Sequence, residues 1–219
     1  MRTDLLMKNK WNWELADEDS WSQPVPEAYY LLARWGKNGA KILDLGCGIG
    51  RHSLLFAASG YEVSAIDSSV EALRSLKEKA MREKLLIDSR RALMTELPYE
   101  DEYFDYVIAF HVIYHGYRRD VEEALSEIRR VLKPGGECFA TFNSSESSSL
   151  RNTKGKRIDR RTVIKSEGIE DGVPHYYVDV TVLRKLLKGF DIMSLRKIRE
   201  YFDKRTSSHF FVLLQKPEN

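Results

Sequence analysis

Ile42-Leu43-Asp44-Leu45-Gly46-Cys47-Gly48-Ile49-Gly50-Arg51-His52 is the stretch from which the fold is read. Ile42 to Leu45 is an apolar run of buried-strand type, three alternating glycines interrupt it, and Arg51 to Ser59 reads as a helix ended by Gly60. A strand that turns through glycines into a helix aims free backbone N–H groups into the space beyond the strand end. It also lets a ligand approach the backbone there.

The same rhythm continues on the carboxyl-terminal side. Val63-Ser64-Ala65-Ile66 reads as a second strand, with Asp67 at its end, 17 residues after Gly50. A helix beginning near Ser69 places Val70, Leu73, Leu76 and Ala80 on one face. A third strand is expected near the end of the stretch Leu85 to Met94. Tyr106 to Phe110 is a further buried strand, and Val121, Leu125, Ile128 and Leu132 mark an amphipathic helix stopped by Pro134-Gly135-Gly136. Cys138 to Phe142 follows as a strand. A helix over Val180 to Lys188, capped by Gly189, leads into strands at Phe190 to Leu195 and Phe210 to Leu214, with a turn region near Asp203 to Ser208. This alternation predicts an α/β fold: a mostly parallel, doubly wound sheet with helices on both faces and an antiparallel pair at its end.

Two segments stand outside the rhythm. Residues 1–22 carry Trp11, Trp13 and Trp21 and precede a helix expected from Pro26 through Trp35; residues 1–35 read as a helical extension or cap. Residues 143–175 are serine-rich, then basic, with no clear core pattern, so 143–178 reads as an insertion or substrate lid. The whole chain, 1–219, is read as one domain.

Composition supports a globular chain: 42% hydrophobic and 11% aromatic residues are enough for a core. Lys plus Arg number 35 against 33 acids, a net charge of +2, which gives no global field for gathering polyanions. Cys47 and Cys138 form no CxxC pair, so neither a disulfide framework nor a metal site is expected, and a reducing cytoplasm fits. No stretch approaches the length that crosses a bilayer, and a soluble protein without a membrane partner is expected.

The glycine turn and Asp67 together suggest a nucleoside cofactor, since a carboxylate at the second strand's end can accept both ribose hydroxyl hydrogen bonds. The plainer alternative is a tight turn and an Asp67 that only caps the next helix. Dinucleotide sites space their glycines Gly-x-Gly-x-x-Gly to seat a pyrophosphate, whereas here the spacing is Gly-x-Gly-x-Gly with Asp44 just ahead. An acid there disfavours a phosphate and suits a sulfonium with its amino group.

At this point the stretch Ile42 to His52 resembles motif I of the class I S-adenosylmethionine-dependent methyltransferases, of the small-molecule, type 11/25-like kind. Leu97-Pro98-Tyr99-Glu100-Asp101 with Phe104-Asp105-Tyr106-Val107 resembles the segment before their fourth strand, and Arg129 to Gly136 their turn into the fifth. The resemblance covers roughly residues 40–142, and the carboxyl-terminal hairpin is similar to the family's last two strands. It implies a Rossmann-like, seven-stranded sheet and S-adenosylmethionine as cofactor, with S-adenosylhomocysteine as product. Asp44, Gly46, Cys47 and Gly48 are implied around the methionine portion, Asp67 and Ser68 at the ribose, and Leu93, Met94 and Phe110 along the rest of the cofactor. One position departs: members often place an acid just before the residue stacked on adenine, and this chain has Leu93 there. Backbone groups near Leu93 and Met94, or Asp88, are left to accept the adenine amino group, and the missing bond is worth about 0.5–1.5 kcal/mol.

His111 and His115, just past the fourth strand, are the candidate catalytic residues, as base or as groups that orient the acceptor. His175, Tyr176 and Tyr177 read as packing, with lining of the same pocket from the lid as the alternative, and His52 reads as helix surface. Residues 151–165 carry Arg151, Lys154, Lys156, Arg157, Arg160, Arg161 and Lys165, either a solvated loop or a patch for RNA or protein. The fourth-strand corner Phe110-His111-Val112-Ile113 lacks the Asn/Asp-Pro-Pro-aromatic signature of enzymes that methylate nucleobase amines. The expected activity is methyl transfer to a small-molecule acceptor, with nucleic acid not expected as a partner. An RNA or protein methyltransferase, a non-catalytic S-adenosylmethionine-binding protein and, last, a nicotinamide dehydrogenase remain as alternatives.

Overall fold

The computed structural model of the protein describes residues 11–13, 21–36, 38–151, 154–203 and 205–218. The parts of the expected amino-terminal cap at 1–10 and 14–20 lie outside the described residues.

The expected alternation forms around the glycine turn: α1 (Pro26–Trp35), β1 (Lys41–Leu45), α2 (Arg51–Ala58), β2 (Glu62–Asp67), α3 (Val70–Arg82) and β3 (Ile87–Arg91). Then come β4 (Phe104–Ala109), α4 (Arg118–Val131) and β5 (Leu132–Ser144). Ser69 caps α3 by accepting the Ala72 N–H at 3.2 Å, and Asp120 opens α4 by accepting the Tyr117 N–H at 2.7 Å. The chain finishes with β6 (Lys156–Arg157), β7 (Thr162–Ile164), β8 (Pro174–Val178), α5 (Val180–Leu186), β9 (Asp191–Phe202) and β10 (Arg205–Gln215).

The strands join in the order β3-β2-β1-β4-β5, all parallel, and β10 then pairs antiparallel with β5 and with β9. These seven strands are the Rossmann-like sheet expected from the sequence. Alternation along the strands splits the core. Leu43, Leu45, Val107 and Ala109 face α4, whereas Ile42, Val63 and Ile108 face α1 and α2.

Three boundaries differ from expectation. β3 begins at Ile87, earlier than the stretch's end; its exposed, charged alternation Asp88, Arg90, Arg91 hides a strand from hydrophobic pattern. Leu132 ends no helix but opens β5 opposite Phe104, because α4 stops at Val131. The segment 143–175 has a core after all: β6, β7 and β8 add to the sheet through Asn143↔Tyr177 and Ser144↔Val178, around Leu150, Val163 and Tyr177. Strands this short show no readable period.

The first helix is locked to the sheet by one carboxylate. Glu137 on β5 accepts Arg34 Nε at 2.8 Å, Arg34 Nη2 at 2.6 Å and Trp35 Nε1 at 2.8 Å. Glu137→Ala removes all three and leaves the Trp35 N–H without an acceptor. It is expected to cost about 2 kcal/mol of stability, read as a lower midpoint in urea unfolding, whereas Arg34→Lys should cost less.

Candidate active site

The site is built on the turn from β1 into α2. The Gly46 and Cys47 N–H groups both donate to the Ile66 carbonyl at 2.9 Å. The Gly48 N–H donates to Asp67 Oδ2 at 2.9 Å, and the Ser69 N–H to Asp67 Oδ1 at 2.8 Å. One carboxylate therefore ties the glycine turn to the start of α3. Asp67 also lines the crevice.

The glycines are required in part by this chain's own side chains. At Gly46, with φ +69°, a Cβ would lie 2.3 Å from Val112 Cγ2, and at Gly48, with φ +55°, 2.4 Å from Trp13 Cζ2. Both positions combine a left-handed backbone with a packed neighbour.

Asp44 lies beneath this turn. Its side chain is absent from the crevice wall, is 2% exposed, and accepts the Ser53 hydroxyl at 2.6 Å. Burial pushes its carboxyl up to about 6 despite that bond. Cys47 lines the crevice, but burial and the charges of Asp67 and Asp44 push its thiol well above the ordinary range. It is a poor nucleophile.

The crevice beyond β1, β2 and β4 is also lined by Gly46, Gly48, Asp67, Ser68, Leu93, Met94, Phe110, His111 and His115. All the candidate site residues except Asp44 thus share one wall. Asp88 does not: it stands on β3, paired with Arg90 at 2.7 Å, and is absent from the crevice wall. His52, read from sequence as helix surface, is 4% exposed and lines the crevice, its ring 5.5 Å from Phe110. The first turn of α2 faces the strand ends, and burial takes that imidazole down to about 3.

Several lining residues were not singled out from the sequence. Arg51 sits with its guanidinium 5.2 Å from the Trp21 ring and 5.4 Å from Phe110. Asp120 is another. Trp11 and Trp13 reach over the turn, and the Asn12 N–H donates to Ile169 O at 2.8 Å, joining the amino-terminal segment to the insertion. Among the described residues, the indole Nε1 atoms of Trp11 and Trp13 are buried without a hydrogen-bond partner.

Four of the chain's five histidines gather at the far end. His111 follows β4 with φ +54°, rare for a non-glycine residue, and donates its N–H to Thr141 Oγ1 at 2.7 Å. Burial lowers its imidazole well below the usual value, so it is a neutral hydrogen-bonding group at pH 7. His209 lies 4.5 Å from it, ring to ring. His115 contacts Trp11 at 5.4 Å and His175 at 4.7 Å, and burial brings it down to about 4. The trio expected as packing divides: Tyr176 and Tyr177 do pack, whereas His175, 2% exposed, joins His115 around Glu170. Glu170 comes from the insertion, where no periodicity pointed to it. Burial alone would raise its carboxyl, but the two imidazoles hold it well below the usual range.

The basic run is partly neutralised: Lys154 pairs with Glu167 at 3.2 Å, Arg161 with Asp179 at 2.5 Å and Lys165 with Glu170 at 2.9 Å. Arg157 donates to the Leu150 carbonyl. Among the described residues no helix is long and apolar enough to cross a membrane.

Comparison with known proteins points the same way. Residues 43–140 match a family model described as a methyltransferase domain. Malonyl-[acyl-carrier protein] O-methyltransferase from Salmonella typhimurium is 30% identical over 141 residues, covering 64% of this chain and 53% of that protein. Ubiquinone biosynthesis O-methyltransferase from Alkalilimnicola ehrlichii is 33% identical over 129 residues, covering 58% and 51%. The chain thus spans about half the length of the curated relatives it matches. In fold it is similar to a solved SAM-dependent methyltransferase structure from Methanosarcina mazei, with a TM-score of 0.74 at 21% identity over 90% of this chain and 100% of that one.

Proposed function

We propose, from the premise that the chain belongs to the class I S-adenosylmethionine-dependent methyltransferase family, that it methylates a small-molecule acceptor held between the strand ends and a cover made by residues 11–13, 21 and the insertion. The observation that carries this reading is Asp67, fixed by the Gly48 and Ser69 N–H groups at the mouth of the crevice, where a ribose diol would find an acceptor.

S-adenosylmethionine, when bound, supplies a methyl group made electrophilic by its sulfonium. The chain's part is to bind, align and keep the reacting atoms dry. Arg51 and the unpartnered indole N–H groups of Trp11 and Trp13 are suited to an anionic carboxylate. Leu93 and Met94 offer an apolar seat for a purine, with backbone groups as hydrogen-bond partners. His111, held by Thr141, presents a neutral imidazole that orients an acceptor's X–H group and receives its hydrogen bond. An uncharged ring there avoids repelling a neighbouring sulfonium. Two relatives are named O-methyltransferases and another a sterol 24-C-methyltransferase, which supports a small-molecule acceptor rather than one particular acceptor atom. The pairing of Lys154, Arg161 and Lys165 with acids favours a small molecule over RNA.

Isothermal titration with S-adenosylhomocysteine tests the cofactor assignment: one site per chain is expected, and no heat at millimolar ligand removes the reading. RNA affinity that disappears when Arg157, Arg160 and Arg161 are changed to Ala would overturn the small-molecule acceptor.

A further inference from the structure

We propose that His115, Glu170 and His175 form a binding site for one divalent transition-metal ion of the zinc or cobalt type, at the acceptor end of the crevice. Their ligand atoms all lie within 4.8 Å of one another. Glu170 Oε1 faces two imidazole nitrogens, His175 Nε2 at 3.0 Å and His115 Nε2 at 3.5 Å. Ligands bonded at roughly 2.0–2.2 Å to a tetrahedral ion stand roughly 3.4 Å apart, so these two separations already fit. The two imidazole nitrogens, within 4.8 Å of one another, would close toward that separation on binding.

The hydrogen-bond chemistry of the cluster points to a cation. His175 Nδ1 lies 3.0 Å from the Val173 carbonyl, which can only accept, so that nitrogen carries the ring's hydrogen. In the neutral ring the Nε2 lone pair then points at a carboxylate oxygen 3.0 Å away. Two acceptors at that distance need a positive centre between them. A second proton on His175 would satisfy that pair but leave the buried His115 Nε2 with only a long 3.5 Å contact to the same oxygen and, among the described residues, no other hydrogen-bond partner. One divalent ion satisfies all three groups at once. The carbonyl on Nδ1 is also the usual means of fixing a ligating imidazole's tautomer and orientation.

The donor set selects the ion. Two neutral imidazoles and one carboxylate oxygen suit borderline transition ions rather than calcium or magnesium. Lys165 occupies Glu170 Oε2 at 2.9 Å, which leaves Oε1 as a single-oxygen ligand. Three protein ligands leave room in the coordination sphere, and His115 is itself a wall of the crevice. An acceptor bearing a hydroxyl or another oxygen donor is the class of molecule that would complete it. Because Glu170 and His175 belong to the insertion and His115 to the loop after β4, the ion would also pin the insertion over the strand ends.

The test uses the full chain, stripped by chelator, titrated with Co2+ and then Zn2+, without cofactor or acceptor. Its outcome is thus separate from that of the S-adenosylhomocysteine titration. One Co2+ per chain is expected, with visible absorption bands of a low-coordinate ion that Zn2+ displaces. Glu170→Gln and His175→Ala should each weaken binding by at least about 10–100-fold. Lys165→Met, which frees the second carboxylate oxygen, should tighten it; no loss of folding produces a gain. No Co2+ binding to the stripped wild-type chain at 0.1 mM on the order of typical protein concentrations, or binding unchanged in both ligand variants, would overturn the proposal.

Discussion

Asp67→Ala is expected to weaken S-adenosylhomocysteine binding by about 1000-fold. In the free protein its carboxylate accepts the Gly48 N–H at 2.9 Å and the Ser69 N–H at 2.8 Å. In the complex proposed above it also accepts the ribose hydroxyls. Hydrogen bonds to a charged acceptor contribute about 1.5–3 kcal/mol each. Loss of the ribose pair, plus a glycine turn no longer held to α3, amounts to about 4 kcal/mol, or about three decades in affinity. The free protein loses less, because water can reach the two released N–H groups at the crevice mouth. Titration calorimetry and thermal unfolding separate the effects. Asp67→Asn, which keeps one acceptor oxygen, should fall between wild type and Ala. An Ala variant that binds within tenfold of wild type would show that Asp67 serves only the turn and that the ribose lies elsewhere.

The contrast between Asp67 and Glu170 shows what a sequence can reveal about such a site. Asp67 was legible because local order placed it: a strand must end, a helix must begin, and the acid stands at the junction near a glycine turn. His111 and His115 were legible for the same reason, as residues just past a buried apolar strand. Glu170 and His175 sit in an insertion built from strands of two to five residues, and the pairing of β8 with the end of β5, with the Tyr176 N–H on the Tyr114 carbonyl, brings them to His115. Nothing local encodes that pairing. His52 failed differently. A short helix whose apolar residues run from Leu54 to Ala58 reads as surface on its polar first turn, yet that turn points at Phe110 and the strand ends.

The glycines carry a related lesson. Their spacing indicated the turn that forms at the crevice, with each missing side chain expected to make way for a ligand. Gly46 instead makes room for Val112 and Gly48 for Trp13. The tryptophans, compositional outliers with no periodicity, were legible only as part of an extension or cap, and Trp13 against that turn shows what it covers. The parallel arrangement itself needed no such long-range information where single helices link the strands, as in β1-α2-β2, β2-α3-β3 and β4-α4-β5.

Asp44→Asn is expected to make the free protein more stable and the complex weaker. A carboxyl that titrates at about 6 in the folded chain and at 3.8 when unfolded binds its proton more tightly in the native state. Stability from this group is therefore fully present below about pH 4, falls as pH rises through 4 to 6, and is lost above 6. That gap corresponds to about 3 kcal/mol. Burial causes it; the Ser53 hydroxyl and N–H and the Arg51 charge oppose it, and Asp67 adds to it. The amide keeps an oxygen for the Ser53 hydroxyl but has no charge to bury. At pH 7 the variant should be up to about 3 kcal/mol more stable than wild type, and the difference should vanish near pH 4. His52, His115 and His209 titrate in both proteins, so they cancel from the comparison. Ligand binding should move the opposite way. A sulfonium and an amino group seated above the turn favour the ionised acid, so wild-type affinity for S-adenosylmethionine should fall as pH drops through 6, with proton release on binding. The variant should bind more weakly and without that step. Urea unfolding from pH 4 to 7, with calorimetry in buffers of different ionisation heat, reads both halves. If the variant is no more stable at pH 7, Asp44 is already balanced as an anion by the free protein. If affinity is unchanged, its charge is not felt at the cofactor. Only the two results together make Asp44 a group whose burial costs the fold and whose charge serves the ligand.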